Sequence, residues 1–181
     1  MSSPTADVSC RVAWADDAPA IARLQLRTRQ HDLGGMLPAE RLEVDAGVAE
    51  DAWRQVLGRP PDARIRVLVA LERSRVVGFA ITSPAPDPDA DPVADAELME
   101  LTVDPDERGR GHGSRLLQAA ADTMAADRFT RAVCWTVASD DGVRRFLTEA
   151  GWGPDGAHRE LDLDGTGAVT AKQVRLHTQL A

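Results

Sequence analysis

Three glycines at alternate positions, Gly109, Gly111 and Gly113, separate a strand-like run from a helix-like run, and no other feature constrains the chain as much. Before them, Glu97 to Val103 sets Leu98, Met99, Leu101 and Val103 among acidic residues, which suits a strand. Pro105 has no N–H to give a ladder, so that strand is expected to stop near Asp104. After the glycines, Leu116, Leu117, Ala120, Ala121 and Met124 recur at helical spacing and predict an apolar stripe. Glycine permits close approach of a ligand to the backbone, and the first amides of a helix have no internal partners. With the helix dipole and the flanking Arg108 and Arg110, the turn reads as a cradle for phosphate or pyrophosphate.

Two common phosphate motifs do not fit. A P-loop places Lys and Ser/Thr directly after its last glycine, whereas Gly113 is followed by Ser114 and Arg115. A dinucleotide fingerprint counted from Gly109 needs a glycine where Ser114 stands. A general nucleotide-binding module is therefore disfavoured.

The pattern Arg108-x-x-Gly111-x-Gly113 resembles the acyl-CoA pyrophosphate loop of the GNAT N-acetyltransferase family, and LTVDPDERG resembles its strand-to-loop lead-in. Downstream, Asp140-x-x-Val143-x-x-Phe146-Leu147-x-x-x-Gly151-Trp152 resembles the family's fourth-helix signature. The resemblance implies an α/β (α+β) fold: a single domain with a mixed, twisted central sheet of about seven strands and helices on both faces. It further implies parallel fourth and fifth strands that splay apart at one end. Leu101, Thr102 and Val103 would then lie along the pantetheine arm of acetyl-CoA. Arg108, Gly109, Arg110, Gly111, His112, Gly113 and Ser114 would hold its pyrophosphate, with Asp140 and Phe146 completing the cofactor set. His112 occupies a variable position of that loop and is expected to face solvent.

The rest of the chain agrees in element order. Val8 to Trp14 reads as a first strand, followed by a helix from Asp16–Asp17 to about Gln30 that HDLGGMLP should break. One helical region is expected over Ala39 to Leu57. Arg64–Leu71 and Val76–Ile81 predict an antiparallel hairpin, and PAPDPDADPVAD an extended loop. That loop is read as a solvated connector, or as an acidic lip formed by Asp87, Asp89 and Asp91. Arg131–Val137 predicts a fifth strand, and Asp140 or a neighbour caps a helix burying Val143, Phe146, Leu147 and Ala150. Strands over His158–Leu163 and Lys172–Leu180 complete an order βααβββαβαββ, with residues 1–7 as a flexible tail and 8–181 as the domain.

Composition narrows function. A formal net charge of −8 opposes general nucleic-acid affinity and is compatible with a cationic acceptor. No apolar run is long enough to span a membrane, MSSPTADVSC has no signal-peptide pattern, and two cysteines make no disulfide framework, so the cytoplasm is expected. No metal site is expected, and the resemblance makes a homodimer an expectation.

The implied reaction is transfer of an acetyl group from acetyl-CoA to an amine of a small molecule or protein, by direct attack in a ternary complex. Glu97 and Glu100 on the key strand are the candidate proton acceptors; three residues apart on a regular strand, they face opposite sides. The family's usual tyrosine after Phe146 is Leu147, and the chain has no tyrosine at all. Ser139 or solvent is then left to assist the thiolate. The same departure motivates the alternative of a non-catalytic acyl-CoA-binding domain. His31 borders the expected acceptor region, while Cys10, Cys134, Trp53, Trp135 and Trp152 read as core.

Overall fold

The structure, a computed structural model, describes residues 7–181, so the expected tail lies outside the described residues except for Asp7. Seven strands, β1 (Val8–Val12), β2 (Arg66–Glu72), β3 (Arg75–Pro84), β4 (Asp95–Val103), β5 (Arg131–Val137), β6 (Gly153–Asp162) and β7 (Thr170–Gln179), form a mixed sheet. Their order is β1-β2-β3-β4-β5-β7-β6. The helices are α1 (Ala18–Leu33), α2 (Ala39–Leu42), α3 (Ala46–Gly58), α4 (His112–Ala126) and α5 (Asp141–Glu149). The described residues divide into two compact units, one of residues 7–82 with 100–120 and the other of residues 83–99 with 121–181.

The first unit is built on an apolar cluster. Ile21 and Leu24 of α1, Trp53 of α3, and Val67, Val69 and Phe79 of the β2–β3 hairpin are all buried together. Trp53 and Phe79 meet edge to face with ring centroids 5.3 Å apart, a preferred aromatic geometry. Gly78 admits close packing here. A Cβ at that position would sit 2.8 Å from the Thr102 carbonyl oxygen and 2.9 Å from a Leu116 methyl, so no side chain fits between β3, β4 and α4.

Helix boundaries depart from expectation at two places. α1 continues through His31, Asp32 and Leu33, because nothing before Gly34 opposes helical geometry; His31 is therefore helical and not in a loop. The single helix expected over Ala39–Leu57 is two, because Glu43 is extended and Asp45 starts a new helix by accepting the Val48 amide at 3.0 Å.

In the second unit, β4 and β5 are parallel, as the resemblance implied, and pair over three positions ending at Glu97↔Val133. β6 starts at Gly153, earlier than His158, since an edge strand tolerates Pro154 and a register shift between Pro154 and His158. α5 has Asp140 as its N-cap, accepting the Val143 amide at 3.0 Å. Of its four predicted inward residues only Leu147 is buried; Phe146 is half-buried, and Val143 and Ala150 are exposed. This short helix encloses Leu147 alone of its apolar face.

Candidate active site

The loop after β4 is held by short-range contacts. The Asp104 amide donates to the Val77 carbonyl at 2.8 Å, and the Asp104 carboxylate caps the following 3-10 turn through the Asp106 amide at 3.0 Å. Gly109 and Gly111 then adopt φ of +77° and +81°, in the left-handed region that β-carbon-bearing residues avoid. α4 begins at His112, so the His112, Gly113 and Ser114 amides precede the first intrahelical bond, which the Arg115 amide makes to the Gly111 carbonyl at 3.1 Å. Two left-handed glycines thus lead directly into the first amides of α4.

The loop cations are internally paired. Arg108 donates to both oxygens of Asp32 at 3.1 and 3.0 Å and to the Val103 carbonyl at 3.3 Å. Arg110 donates to Glu107 at 2.6 Å, and Glu107 also binds Arg75. The hydrogen bond from Arg75, and the charges of both arginines, hold the Glu107 carboxyl below its usual range. His112 is 2% exposed and turns inward, correcting the expectation of a solvent-facing ring. One of its ring nitrogens and oxygens of Glu72 and Glu107 lie within 4.8 Å of one another, so the ring is drawn toward this acidic pair. Among the described residues this is the one group with metal-like spacing, but Arg75 and Arg110 already neutralise its carboxylates.

Beside the loop, the first unit contains an open cleft of about 720 Å³ lined by α1, α3, the α2–α3 connection, Ile81 and β4. Glu100 stands in it. Its two oxygens accept from Gln25 Nε2 at 3.3 Å and Thr102 Oγ1 at 3.1 Å. Trp53 Nε1 donates to Gln25 Oε1 at 3.0 Å, which fixes the amide so that its NH2 faces Glu100. Burial pushes the Glu100 carboxyl above its usual range, and the two hydrogen bonds only partly offset this.

The family model for the acetyltransferase (GNAT) family matches residues 26–152, which include both the loop and Glu100. The chain belongs to the GNAT family. GNAT enzymes are acyl-CoA-dependent acetyltransferases, and this chain carries their fold. Comparison with curated protein sequences finds no match. Among solved structures, a ribosomal-protein-S5-alanine acetyltransferase from Vibrio fischeri superposes with a TM-score of 0.76 at 15% identity, covering 99% of this chain and 97% of that one. A ribosomal-protein-alanine N-acetyltransferase from Brucella melitensis gives 0.73 at 21% identity, with 95% and 99% covered. An acetyltransferase from Salmonella typhimurium, solved with its cofactor acetyl-CoA, gives 0.69 at 19% identity, with 97% and 95% covered. These likenesses show the GNAT fold.

Leu101, Thr102, Val103 and the residues from Arg108 to Ser114 all belong to the first unit, with Glu100. Glu97, Ser139, Asp140 and Phe146 belong to the second. There Glu97 is buried, its carboxyl raised by that burial and by the Asp87 charge, against the lowering effect of Arg159. Ser139 is exposed, and Leu147, at the usual tyrosine position, is 1% exposed and serves packing. Cys134 is buried, its thiol pushed up to about 12 chiefly by that burial, which leaves it a packing residue.

The Pro/Asp loop does not present a free acidic lip. Asp87 accepts from Trp135 Nε1 and Arg175 Nη1, each at 3.1 Å, and Arg175 also binds Asp89 at 2.8 Å. Asp91 caps its own turn through the Val93 amide at 2.9 Å. Asp87 and Asp89 are ligands of a buried arginine, because Arg175 on β7 cannot be buried without counter-charges. Trp135 is correspondingly half-buried beneath Arg159, 4.2 Å from its ring centroid, and is not a closed core residue. This network was not legible in the sequence; a lone arginine in a strand together with a Pro/Asp run was its only trace.

Among the described residues no helix is long and apolar enough to cross a membrane.

Proposed function

We propose that the protein N-acetylates an amine by direct attack in a ternary complex, with Glu100 as the proton acceptor. The observation that carries this reading is the cleft carboxylate itself. Glu100 is held by two neutral donors, is raised by burial, and shares β4 with the residues leading into the glycine turn. A carboxylate with a raised pKa is the better base near neutral pH.

The glycine turn fits a pyrophosphate: two left-handed glycines, free first-turn amides of α4, and Arg108 and Arg110 at the rim. Main-chain groups of Leu101 and Val103, beyond the last β4–β5 pair, would hold the pantetheine arm. Acetyl-CoA, when bound, supplies the activated thioester. Glu100 takes one proton from the incoming ammonium, and the freed amine then forms the C–N bond as the C–S bond breaks. The second amine proton passes to solvent and the CoA sulfur leaves as a solvated thiolate that takes its proton from water, since the chain has no tyrosine and a thiol's reference pKa is only about 8.5. Glu97, enclosed in the second unit, is less suited to the proton transfer than Glu100.

The absence of tyrosine also supports a second reading, an acyl-CoA-binding domain without catalysis. Titration calorimetry with acetyl-CoA, using wild type, Gly111→Glu and Arg108→Ala, tests the cradle. A side chain at Gly111 imposes a strained φ and an anion where phosphate should sit, so binding should vanish; unchanged binding would refute the cradle. Thiol release from acetyl-CoA across an amine panel then separates enzyme from binding domain.

A further inference from the structure

The cleft of the first unit has a chemically uneven lining. One side is apolar: Val44, Val48, Ala52 and Val56, with Ile81, carry no hydrogen-bonding side-chain atoms. Val48 is 64% exposed, and Val44 is exposed as well, so this part of the wall is open surface, while Val56 and Ile81 pack against the apolar cluster. Glu100 lines the same cleft, and its partners Gln25 and Thr102 are neutral. Thr28 also lines the cleft, and its buried hydroxyl has no hydrogen-bond partner. The other carboxylate of the lining, Asp32, is engaged by Arg108 and by His31 at 2.8 Å. Among the carboxylates of this lining Glu100 is thus the one with neutral partners alone, and it shares the cleft with these apolar side chains and with the exposed Arg29.

We propose that this cleft selects a primary amine carried on an apolar body, alkyl or arylalkyl, with the ammonium on Glu100 and the hydrocarbon against Val44, Val48 and Val56. The inference rests on the reading of this cleft as the acceptor site. A cation beside Glu100 supplies the counter-charge that its neutral partners lack. The valine wall buries hydrocarbon and gives nothing to a second ammonium or to a peptide backbone, whose polar groups would lose water without replacement. A polyamine and a protein N-terminus are accordingly rejected by the same wall that accepts an alkyl chain.

Titration calorimetry on the full chain, with 2-phenylethylamine, 2-phenylethanol, spermidine and a short peptide with an N-terminal alanine, tests this directly. The amine should bind tightest, and Glu100→Gln should weaken it about tenfold, the scale of one charge-assisted hydrogen bond, while leaving the alcohol unchanged. Val48→Asp, at an exposed position that tolerates the change, should weaken 2-phenylethylamine and strengthen spermidine. Tighter binding of spermidine or the peptide, or indifference of 2-phenylethylamine to Glu100→Gln, would overturn the proposal. A parallel titration with CoA keeps the two readings apart. Lost CoA binding with intact amine selectivity refutes the acyltransferase reading alone, and CoA binding without amine selectivity refutes this one alone.

Discussion

Arg108 and Asp32 form a two-pronged ion pair, with one guanidinium nitrogen 3.1 and 3.0 Å from the two carboxylate oxygens. The arginine of the glycine turn is thereby tied to the last turn of α1, and Asp32 also lines the cleft. A phosphate at the turn must compete with Asp32 for Arg108. Both partners are substantially exposed, so the pair is worth at most about 1 kcal/mol. Asp32→Asn should therefore tighten acetyl-CoA binding by up to about fivefold in a calorimetric titration. Equal or weaker affinity would show that the pair does not compete with the cofactor.

Glu100 gives a pH dependence with a definite sign. Its folded pKa is raised chiefly by burial, so between the ordinary glutamate value and the raised one the native state holds more protons than the unfolded chain. Stability should fall as pH rises through that window, while kcat/KM rises as the carboxylate forms. Glu100→Gln should remove the acidic limb of the rate profile and lower kcat by roughly 10²–10⁴. The same change should raise the unfolding midpoint at pH 7, because no charge is then buried. A midpoint that falls would contradict the burial argument.

Cys134 should be chemically silent. With its thiol pushed up to about 12 by burial, the native protein should resist iodoacetamide at that residue at pH 8, as peptide mapping would show. Cys134→Ala should leave thiol release from acetyl-CoA intact. Loss of turnover in a folded Cys134→Ala protein would restore a covalent route through this sulfur.

Arg175 organises the second unit electrostatically. It is 5% exposed, and its guanidinium serves Asp87, Asp89 and Asp155. Arg175→Met would leave Asp87 and Asp155 short of a counter-charge, at a cost of roughly 3–5 kcal/mol in urea unfolding. The Arg175 hydrogen bond lowers the Asp89 carboxyl to about 2, so its contribution is present above the ordinary aspartate range and lost as pH falls toward that value. A mutant as stable as wild type at pH 7 would show the acids to be solvated instead.

Local chemistry made much of this fold legible. Pro105 ends β4, Asp140 caps α5, and Arg131–Val137 forms β5 over the residues its β-branched run predicts. Each of these depends on a residue and its immediate neighbours. The misplaced boundaries are of another kind. The break at Glu43–Asp45 and the early start of β6 at Gly153 rest on caps and edge positions that periodicity does not encode. Val143 and Ala150 follow a helical stripe, yet tertiary packing leaves them exposed.

The sequence by itself determined the glycine turn, its helix and the family, because backbone freedom at Gly109 and Gly111 and the amides of a helix start are properties of short segments. Only the tertiary structure decided how the charges were used. It placed Glu100 with Gln25, seventy-five positions away in sequence, paired Arg108 with Asp32, turned His112 inward, and gave Asp87 and Asp89 to Arg175. A charged group's role depends on its burial and its counter-charge, and both come from parts of the chain that are remote in sequence.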